Sequence, residues 1–196
     1  MRSALLPLLA GSASFPLVLA FDAAAVRGII WLKWLCFIGA GALFVFGLAG
    51  TIAAPQRFIL PAALRAVTGA LALVFLLLLI YSLAVEPVFR QALRGGPQTL
   101  TTTGTYALAR HPGVLWLALF ILFLVPASGS KPLLAGAVVW TALNVGVAAV
   151  QERRFLPRAF GDAYAAYRSR VPFLVPTRES ILQCMATAGR GRREKK

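Results

Sequence analysis

The sequence is poor in charged residues, and above all in acidic residues, histidine and cysteine. Only 13% of its 196 residues are charged, with 6 Asp and Glu against 20 Lys and Arg. A soluble domain carries roughly a quarter of charged residues, so a water-soluble globular fold is excluded. A single histidine with no Cys, Asp or Glu cluster beside it excludes a metal site of the usual kind. Two cysteines, one in an apolar run and one near the C-terminus, do not indicate a disulfide framework.

Long apolar runs are what the sequence does contain. Hydrophobic residues make up 59% of the chain, and mean hydropathy is +0.79. A membrane-spanning helix needs about 20 mostly apolar residues. Charged residues divide the chain into five uncharged stretches of about that length, at 3–21, 34–56, 66–85, 112–130 and 132–151. The sequence therefore predicts an all-α polytopic integral membrane protein with about five transmembrane helices, the last two joined by a Gly/Ser/Pro turn at 127–132.

The first apolar stretch has two interpretations. Arg2, an apolar run and the small residues at 23–25 also fit a cleaved signal peptide. Five spans with the C-terminus inside place 16 Lys and Arg on the cytoplasmic side and four on the other. A cleaved signal would invert every later segment and oppose the positive-inside rule. We therefore expect five spans and a cytoplasmic C-terminus. The excess of positive charge could serve binding to nucleic acid or to an anionic membrane surface, and the hydropathy of the chain favours the membrane.

The chain divides by composition into three parts. Residues 1–85 hold three apolar spans, 86–176 hold a loop, a helical hairpin and an amphipathic helix, and 177–196 form a basic tail that we expect to be disordered. The amphipathic stripe has helical spacing and ends before two prolines; its members are Leu156, Phe160, Tyr164, Tyr167 and Val171. It fits both a helix in the membrane interface and a lid over a site.

Polar residues precede the fourth span. The loop at 86–110 contains Gly95-Gly96-Pro97 and several threonines, and Arg110-His111-Pro112-Gly113 opens the span. Proline suits the first turn of a helix. His111 would then lie beside free backbone N–H groups, which favour an anionic ligand group. The structural alternative is an interfacial histidine that hydrogen-bonds a loop carbonyl.

The fifth span ends in polar residues that are unusual at membrane depth. Asn144 and Gln151 are seven residues apart and share a helical face, and Glu152 follows. A polar residue in a span is a site hypothesis by default. The alternatives are an interhelical hydrogen bond for Asn144 and a surface ion pair for Glu152. We expect Glu152 and Glu86 to be the only acidic residues at the hydrocarbon edge on this side.

Two blocks of the C-terminal half resemble a known signature. Gly104-Thr105-Tyr106 followed by Arg110-His111-Pro112 is similar to "G-x-Y … R-H-P". Gln151-Glu152 and then residues 160–172, FGDAYAAYRSRVP, are similar to an acidic pair followed by "F-G-x-x-Y-x-x-Y-x-x-R-V-P". This order, around a hairpin and over residues 104–176, resembles the superfamily of isoprenylcysteine carboxyl methyltransferases and phospholipid methyltransferases.

The resemblance implies an S-adenosylmethionine (SAM) site at the cytoplasmic face and a lipophilic or small-molecule methyl acceptor. On this basis we assign His111 and Glu152 to catalysis and Gln151 and Arg170 to the substrate side. We add Asn144 to the substrate side because it is a polar residue inside a span. The cofactor residues that it implies are Tyr106, Arg110, His111, Pro112, Gly113, Glu152, Tyr164 and Tyr167. Two positions depart from the signature: Val114 replaces a common tyrosine, and Gln151 replaces one member of the acidic pair.

Two other functions are compatible with these departures and with the pattern. A membrane scaffold would keep the fold after losing activity. A nicotinamide-dependent membrane reductase resembles the same C-terminal pattern, but it has many more spans, and this chain has no G-x-G-x-x-G fingerprint.

Methyl transfer needs donor and acceptor held at near-attack distance with water excluded. A thiol or amine acceptor would also need a base, for which His111 is the available histidine.

Overall fold

The computed structural model describes residues 2–85 and 100–187, and the regular structure in those ranges is helical. The predicted loop features at 86–99, including Glu86, Gly95-Gly96-Pro97 and Thr99, lie outside the described residues, as do residues 188–196 of the predicted tail. The helices are α1 (Arg2–Val26), α2 (Ile30–Ala53), α3 (Ala62–Ile80), α4 (Thr105–Leu108), α5 (Pro112–Ser128), α6 (Lys131–Val150), α7 (Leu156–Arg170) and α8 (Arg178–Thr187). A π-helical turn follows α3 at Tyr81–Val85 and another follows α6 at Gln151–Phe155.

The prediction of an all-α, polytopic helical membrane protein is confirmed. Four helical segments are long and apolar enough to cross a membrane: Ala4–Val26, Ile30–Ala53, Ala62–Leu83 and the continuous stretch Lys131–Arg170. The fifth predicted span is the shorter apolar helix Pro112–Ser128. Many large apolar side chains on these helices are exposed, including Ile38 and Leu73, as a lipid-facing surface requires.

By its internal contacts the described chain divides into two compact units. Among the described residues, unit 1 comprises 2–76 and 117–155, and unit 2 comprises 77–85, 100–116 and 156–187. Two of the three boundaries fall within α3 and α5, and the third lies between the π-helical turn and α7.

Trp140 of α6 lies at the centre of unit 1, where its side chain is completely buried. Its indole N–H donates to the Leu8 carbonyl at 3.3 Å and the Ser12 hydroxyl at 3.2 Å. Gly11 leaves room for the ring, and Gly47 lets α2 approach the α1 backbone. In a bilayer the hydrophobic effect does not drive helices together, so their association depends on close van der Waals packing, which small residues allow. The first apolar stretch is therefore built into the core of unit 1.

The turn between α5 and α6 is the predicted Gly/Ser/Pro hairpin. Gly129 has a φ of +69°, a conformation that glycine adopts without steric cost. Ser130 caps α6 by accepting from Leu133 N, and its hydroxyl donates to the Thr51 carbonyl at 2.6 Å. The turn is therefore fastened to the end of α2.

In unit 2, α7 buries the stripe that the sequence predicts. Tyr164, Tyr167 and Val171 are buried together, with Leu156 and Phe160 packed against them. The helix is kinked at Gly161, whose φ of 54° and ψ of −131° are not helical, so the stripe is not one straight helix. α7 ends at Arg170, before Pro172, as the sequence predicts.

Part of the predicted disordered tail is helical, because residues 178–187 form α8. Its start is capped reciprocally: Thr177 N donates to Ser180 Oγ at 2.9 Å and Ser180 N donates to Thr177 Oγ1 at 3.2 Å. The signal was in the sequence, since Thr is a preferred N-cap residue. At the other end, the Thr187 hydroxyl accepts from Gly104 N at 3.1 Å.

Candidate functional site

The two sequence blocks that carry the resemblance are joined by hydrogen bonds within unit 2. Arg110 Nη1 donates to the Arg168 carbonyl at 2.7 Å and the Val171 carbonyl at 2.9 Å. The backbone N–H groups of Arg110 and His111 donate to the carbonyls of Pro172 and Phe173 at 2.9 and 3.4 Å. A guanidinium can hold two acceptors at once because its N–H donors form a planar fork. The start of α5 is thus held against the end of α7.

His111 lies directly before α5, where the sequence predicts it. Its carbonyl accepts from the N–H groups of Val114 and Leu115 in the first turn of the helix. Its ring makes an edge contact with Phe173, with ring centroids 5.2 Å apart. The Arg110 guanidinium lies 5.8 Å from the centre of the Phe173 ring, within the range of cation–π attraction. Phe173 therefore orients both side chains, a role that sequence reasoning did not give it.

Pro112, Gly113 and Val114 form the first turn of α5. Pro112 is fully buried, and Gly113 lies near the side chains of Leu79 and Leu83. Val114, where the signature commonly has tyrosine, is 9% exposed. Its side chain therefore fills apolar space at this position.

Tyr106 and Tyr167 are also brought together. The Tyr167 hydroxyl donates to the Tyr106 carbonyl at 2.7 Å. This bond fixes the one-turn helix α4, which begins after Gly104 at a φ of 65°, against α7. Tyr106 takes part through its backbone carbonyl here, so the contact does not depend on the identity of its side chain.

Sequence reasoning missed a buried polar trio in unit 2. The Ser82 hydroxyl lies 3.0 Å from the Thr105 hydroxyl and accepts from Trp116 Nε1 at 2.9 Å. All three side chains are buried. Ser82 lies in the π-helical turn after α3, and π-turns inside helices are frequent at functional sites. A lone serine at the end of an apolar run was the available signal.

A cavity of about 440 Å³ that is open to the surface follows one face of α7, and its lining residues other than Tyr164 are exposed. It begins at the Gly161 kink and is lined by Pro157, Gly161, Tyr164, Ala165, Arg168 and Ser169. The arginine on its wall is Arg168, which sequence reasoning did not select. The predicted Arg170 is exposed.

Asn144, Gln151 and Glu152 belong to unit 1. Asn144 is half-buried in α6, and Glu152 is 6% exposed in the π-helical turn that follows it. Gln151 Nε2 donates to Asp22 Oδ2 at 2.7 Å. Asp22 is thus an acidic residue at this edge that the sequence analysis overlooked, and the expectation that only Glu152 and Glu86 lie there was wrong. The signal was positional, because the first and fifth spans end on the same side.

Comparisons with protein-family models, curated proteins and solved structures gave no match.

The structure therefore places the predicted site residues in two groups. In unit 2, hydrogen bonds join Arg110 and His111 to the end of α7 and Tyr167 to Tyr106, and Tyr164 lines the cavity. In unit 1, Gln151 pairs with Asp22 beside Glu152. Within the described ranges, no group of three His, Cys, Asp or Glu side chains is arranged to hold a metal ion.

Proposed function

We propose that this chain is a membrane methyltransferase that uses SAM and binds it in unit 2. The observation that carries the proposal is the junction between Arg110-His111 and residues 168–173. Two segments of the methyltransferase-like signature, separated by 58 residues or more in sequence, are linked there by four hydrogen bonds. A chance likeness of two short motifs gives no reason for the motifs to meet.

The residues of the α7 cavity fit the cofactor. A volume of about 440 Å³ lies within the roughly 300–1,000 Å³ typical of small-molecule sites. Arg168 would hold the cofactor's carboxylate by a charge-assisted bond. Tyr164, which is 2% exposed, contributes to the wall of the cavity. SAM supplies an electrophilic methyl group, and its transfer is a single displacement that needs no covalent enzyme intermediate.

The residues of the junction have different roles. Arg110 positions the loop, since its guanidinium binds backbone carbonyls of α7 and of the residue after it. His111, oriented by Phe173, would accept the proton of a thiol or amine acceptor. A carboxylate acceptor would need no base at neutral pH. The acceptor is a lipophilic or small molecule, which can enter from the bilayer because the site is carried by helices adjoining apolar spans.

The direct test is transfer of a labelled methyl group from SAM by the purified full-length protein in lipid nanodiscs. Membrane lipids and small thiols serve as acceptors, and SAM affinity is measured by calorimetry. Arg168→Gln should weaken SAM binding about tenfold through loss of one charge-assisted bond. Arg158→Gln is the matched control, because Arg158 is an exposed arginine of the same helix that does not line the cavity.

Variants of the implied catalytic residues complete the assay. His111→Ala should abolish transfer to a thiol or amine while SAM still binds. Glu152→Gln, which tests the role implied by the resemblance, should also abolish transfer. Retained activity in both would refute these assignments. No SAM binding and no labelling by the wild type would overturn the enzyme proposal; stabilisation by NADPH would then indicate a reductase, and co-purification of a tight partner would indicate a scaffold.

A further inference from the structure

A second cavity lies in unit 1, at the end that carries the α2–α3 loop and the α5–α6 turn. Its volume is about 460 Å³, and its walls are Ile52, Arg57, Phe58, Arg65 and Ser128. The Gln151–Asp22 pair lies at the other end of α6, which has 20 residues and is therefore roughly 30 Å long. Neither the motifs nor the proposed function accounts for this cavity.

Backbone pairing gives the cavity a fixed frame. Phe58 N donates to the Gly129 carbonyl at 2.6 Å and Lys131 N donates to the Gln56 carbonyl at 3.1 Å. The loop before α3 is thereby paired with the turn between α5 and α6. The Lys131 ammonium lies 5.6 Å from the centre of the Phe58 ring, so a third positive charge stands beside the cavity wall.

Arg57 and Arg65 each use only a small part of their N–H donors to bind the neighbouring backbone. Arg57 Nη1 donates to the Ser128 carbonyl at 3.0 Å, and Arg65 Nε donates to the Ala127 carbonyl at 3.2 Å. Each guanidinium has five N–H donors, and within the described residues each uses one of them in these bonds. The carbonyls fix the direction of the side chains, and the remaining donors suit an oxyanion.

The sequence provides no carboxylate near these charges. Residues 23–85 and 87–151 contain no Asp or Glu, so the positive charge of Arg57, Arg65 and Lys131 has no acidic neighbour along the chain. Apolar side chains adjoin the charges, since Ile59, Leu64 and Val67 are exposed. A ligand that fits both features has an anionic head and an apolar tail.

We propose that this cavity binds the phosphate group of an anionic phospholipid. Arg57 and Arg65 donate hydrogen bonds to the phosphate oxygens, since guanidinium forks match phosphate geometry. The Lys131 ammonium adds a third positive charge that attracts the phosphate. The acyl chains lie along the exposed apolar face at the start of α3. A lipid with a net negative charge is favoured over a zwitterionic one, because no acidic residue stands nearby in sequence to pair with a choline ammonium. The inference does not rest on the proposed function.

The test measures lipid binding by the full-length protein in detergent, by native mass spectrometry and by thermal unfolding. The probes are dioleoylphosphatidylglycerol, dioleoylphosphatidylcholine and inorganic phosphate. We expect phosphatidylglycerol to be retained and to raise Tm, with phosphatidylcholine and inorganic phosphate giving smaller shifts. Arg57→Gln and Arg65→Gln should each weaken phosphatidylglycerol binding about tenfold. Arg27→Gln, at the exposed turn between α1 and α2, is the matched control and should leave binding unchanged.

Each result decides the proposal. Equal Tm shifts with phosphatidylglycerol and phosphatidylcholine would contradict the preference for an anionic lipid. A shift with inorganic phosphate equal to that with phosphatidylglycerol would contradict the proposal that the ligand is a lipid. A loss of binding in Arg27→Gln as large as in Arg65→Gln would show a diffuse charge effect instead of a site. The lipid comparison on the wild type needs no variant, so a failure of the arginine variants to fold leaves it intact.

Discussion

At the scale of single residues, the hydrogen bond from Gln151 to Asp22 makes a specific prediction. Gln151→Glu restores the acidic pair of the methyltransferase-like signature, but it replaces the amide donor with an acceptor 2.7 Å from a carboxylate oxygen. A polar group left without its partner costs about 1–3 kcal/mol. We expect Gln151→Glu to lower the free energy of unfolding by about that amount, measured by chemical denaturation in detergent.

A second substitution should reverse the loss. Asp22→Asn supplies an amide donor, so the double variant Asp22→Asn/Gln151→Glu restores a donor–acceptor pair with its direction reversed. Residues in direct contact typically show coupling of about 0.5–3 kcal/mol. Additive effects of the two substitutions would contradict the hydrogen bond.

Residue-level prediction from the sequence succeeded where a local pattern specifies the environment. Pro112 opens α5 because a helix start tolerates a missing N–H, and the buried face of α7 follows its 3.6-residue period. Asp22, Arg168 and Phe173 were missed because their roles depend on which segments meet in space. No single stretch of sequence records that Asp22 faces Gln151, 129 residues away.

At the scale of elements, the kink of α7 depends on Gly161. Its φ of 54° is strained for any residue with a Cβ, and such strain costs about 1–3 kcal/mol. Gly161→Ala should therefore destabilise α7 and increase hydrogen exchange between residues 156 and 170. Gly146→Ala is the control, since Gly146 lies in α6 with no atom within 4 Å of an added Cβ. Equal exchange in the two variants would contradict the strained backbone conformation at Gly161.

The packing of α1 against α2 gives a second prediction at this scale. A Cβ on Gly47 would lie 2.6 Å from the Gly11 Cα and 2.7 Å from the Pro7 carbonyl oxygen, whereas one on Gly41 of the same helix meets nothing within 4 Å. Gly47→Ala should cost about 1–3 kcal/mol by overpacking, and Gly41→Ala should stabilise by up to about 1 kcal/mol through helix propensity. A thermal unfolding midpoint that is the same in both variants would contradict the close approach.

Helix bounds were the most predictable feature of the elements. Charged residues at the ends of apolar runs located all five apolar helices, because the bilayer imposes a length. The kink at Gly161 and the helix at 178–187 were not predicted. A glycine within a helical stripe is compatible with a straight or a bent helix, and the capping residues Thr177 and Ser180 stand in a segment whose basic composition suggested disorder.

At the scale of the whole molecule, the predicted orientation is testable through the two cysteines. Cys36 is buried in α2 and Cys184 is partly exposed in α8, and neither forms a disulfide. In a Cys36→Ser variant, a membrane-impermeant maleimide should label Cys184 only from the cytoplasmic side. Lys131→Cys in a Cys36→Ser/Cys184→Ser background should be labelled only from the opposite side. Labelling of Cys184 from outside in intact cells would contradict the positive-inside assignment.

The contact between Trp140 and α1 also affects how the chain is assembled. The acceptors of its indole N–H, Leu8 and Ser12, are made 132 and 128 residues earlier. At the roughly 5–20 residues per second of synthesis, α1 waits roughly 6–26 s for this partner. Throughout that interval α1 lacks the Trp140 ring that packs against Gly11 in the folded protein. The final fit of unit 1 is thus a late event of biogenesis, and a ribosome stalled before α6 would leave α1 and α2 as an incompletely packed pair.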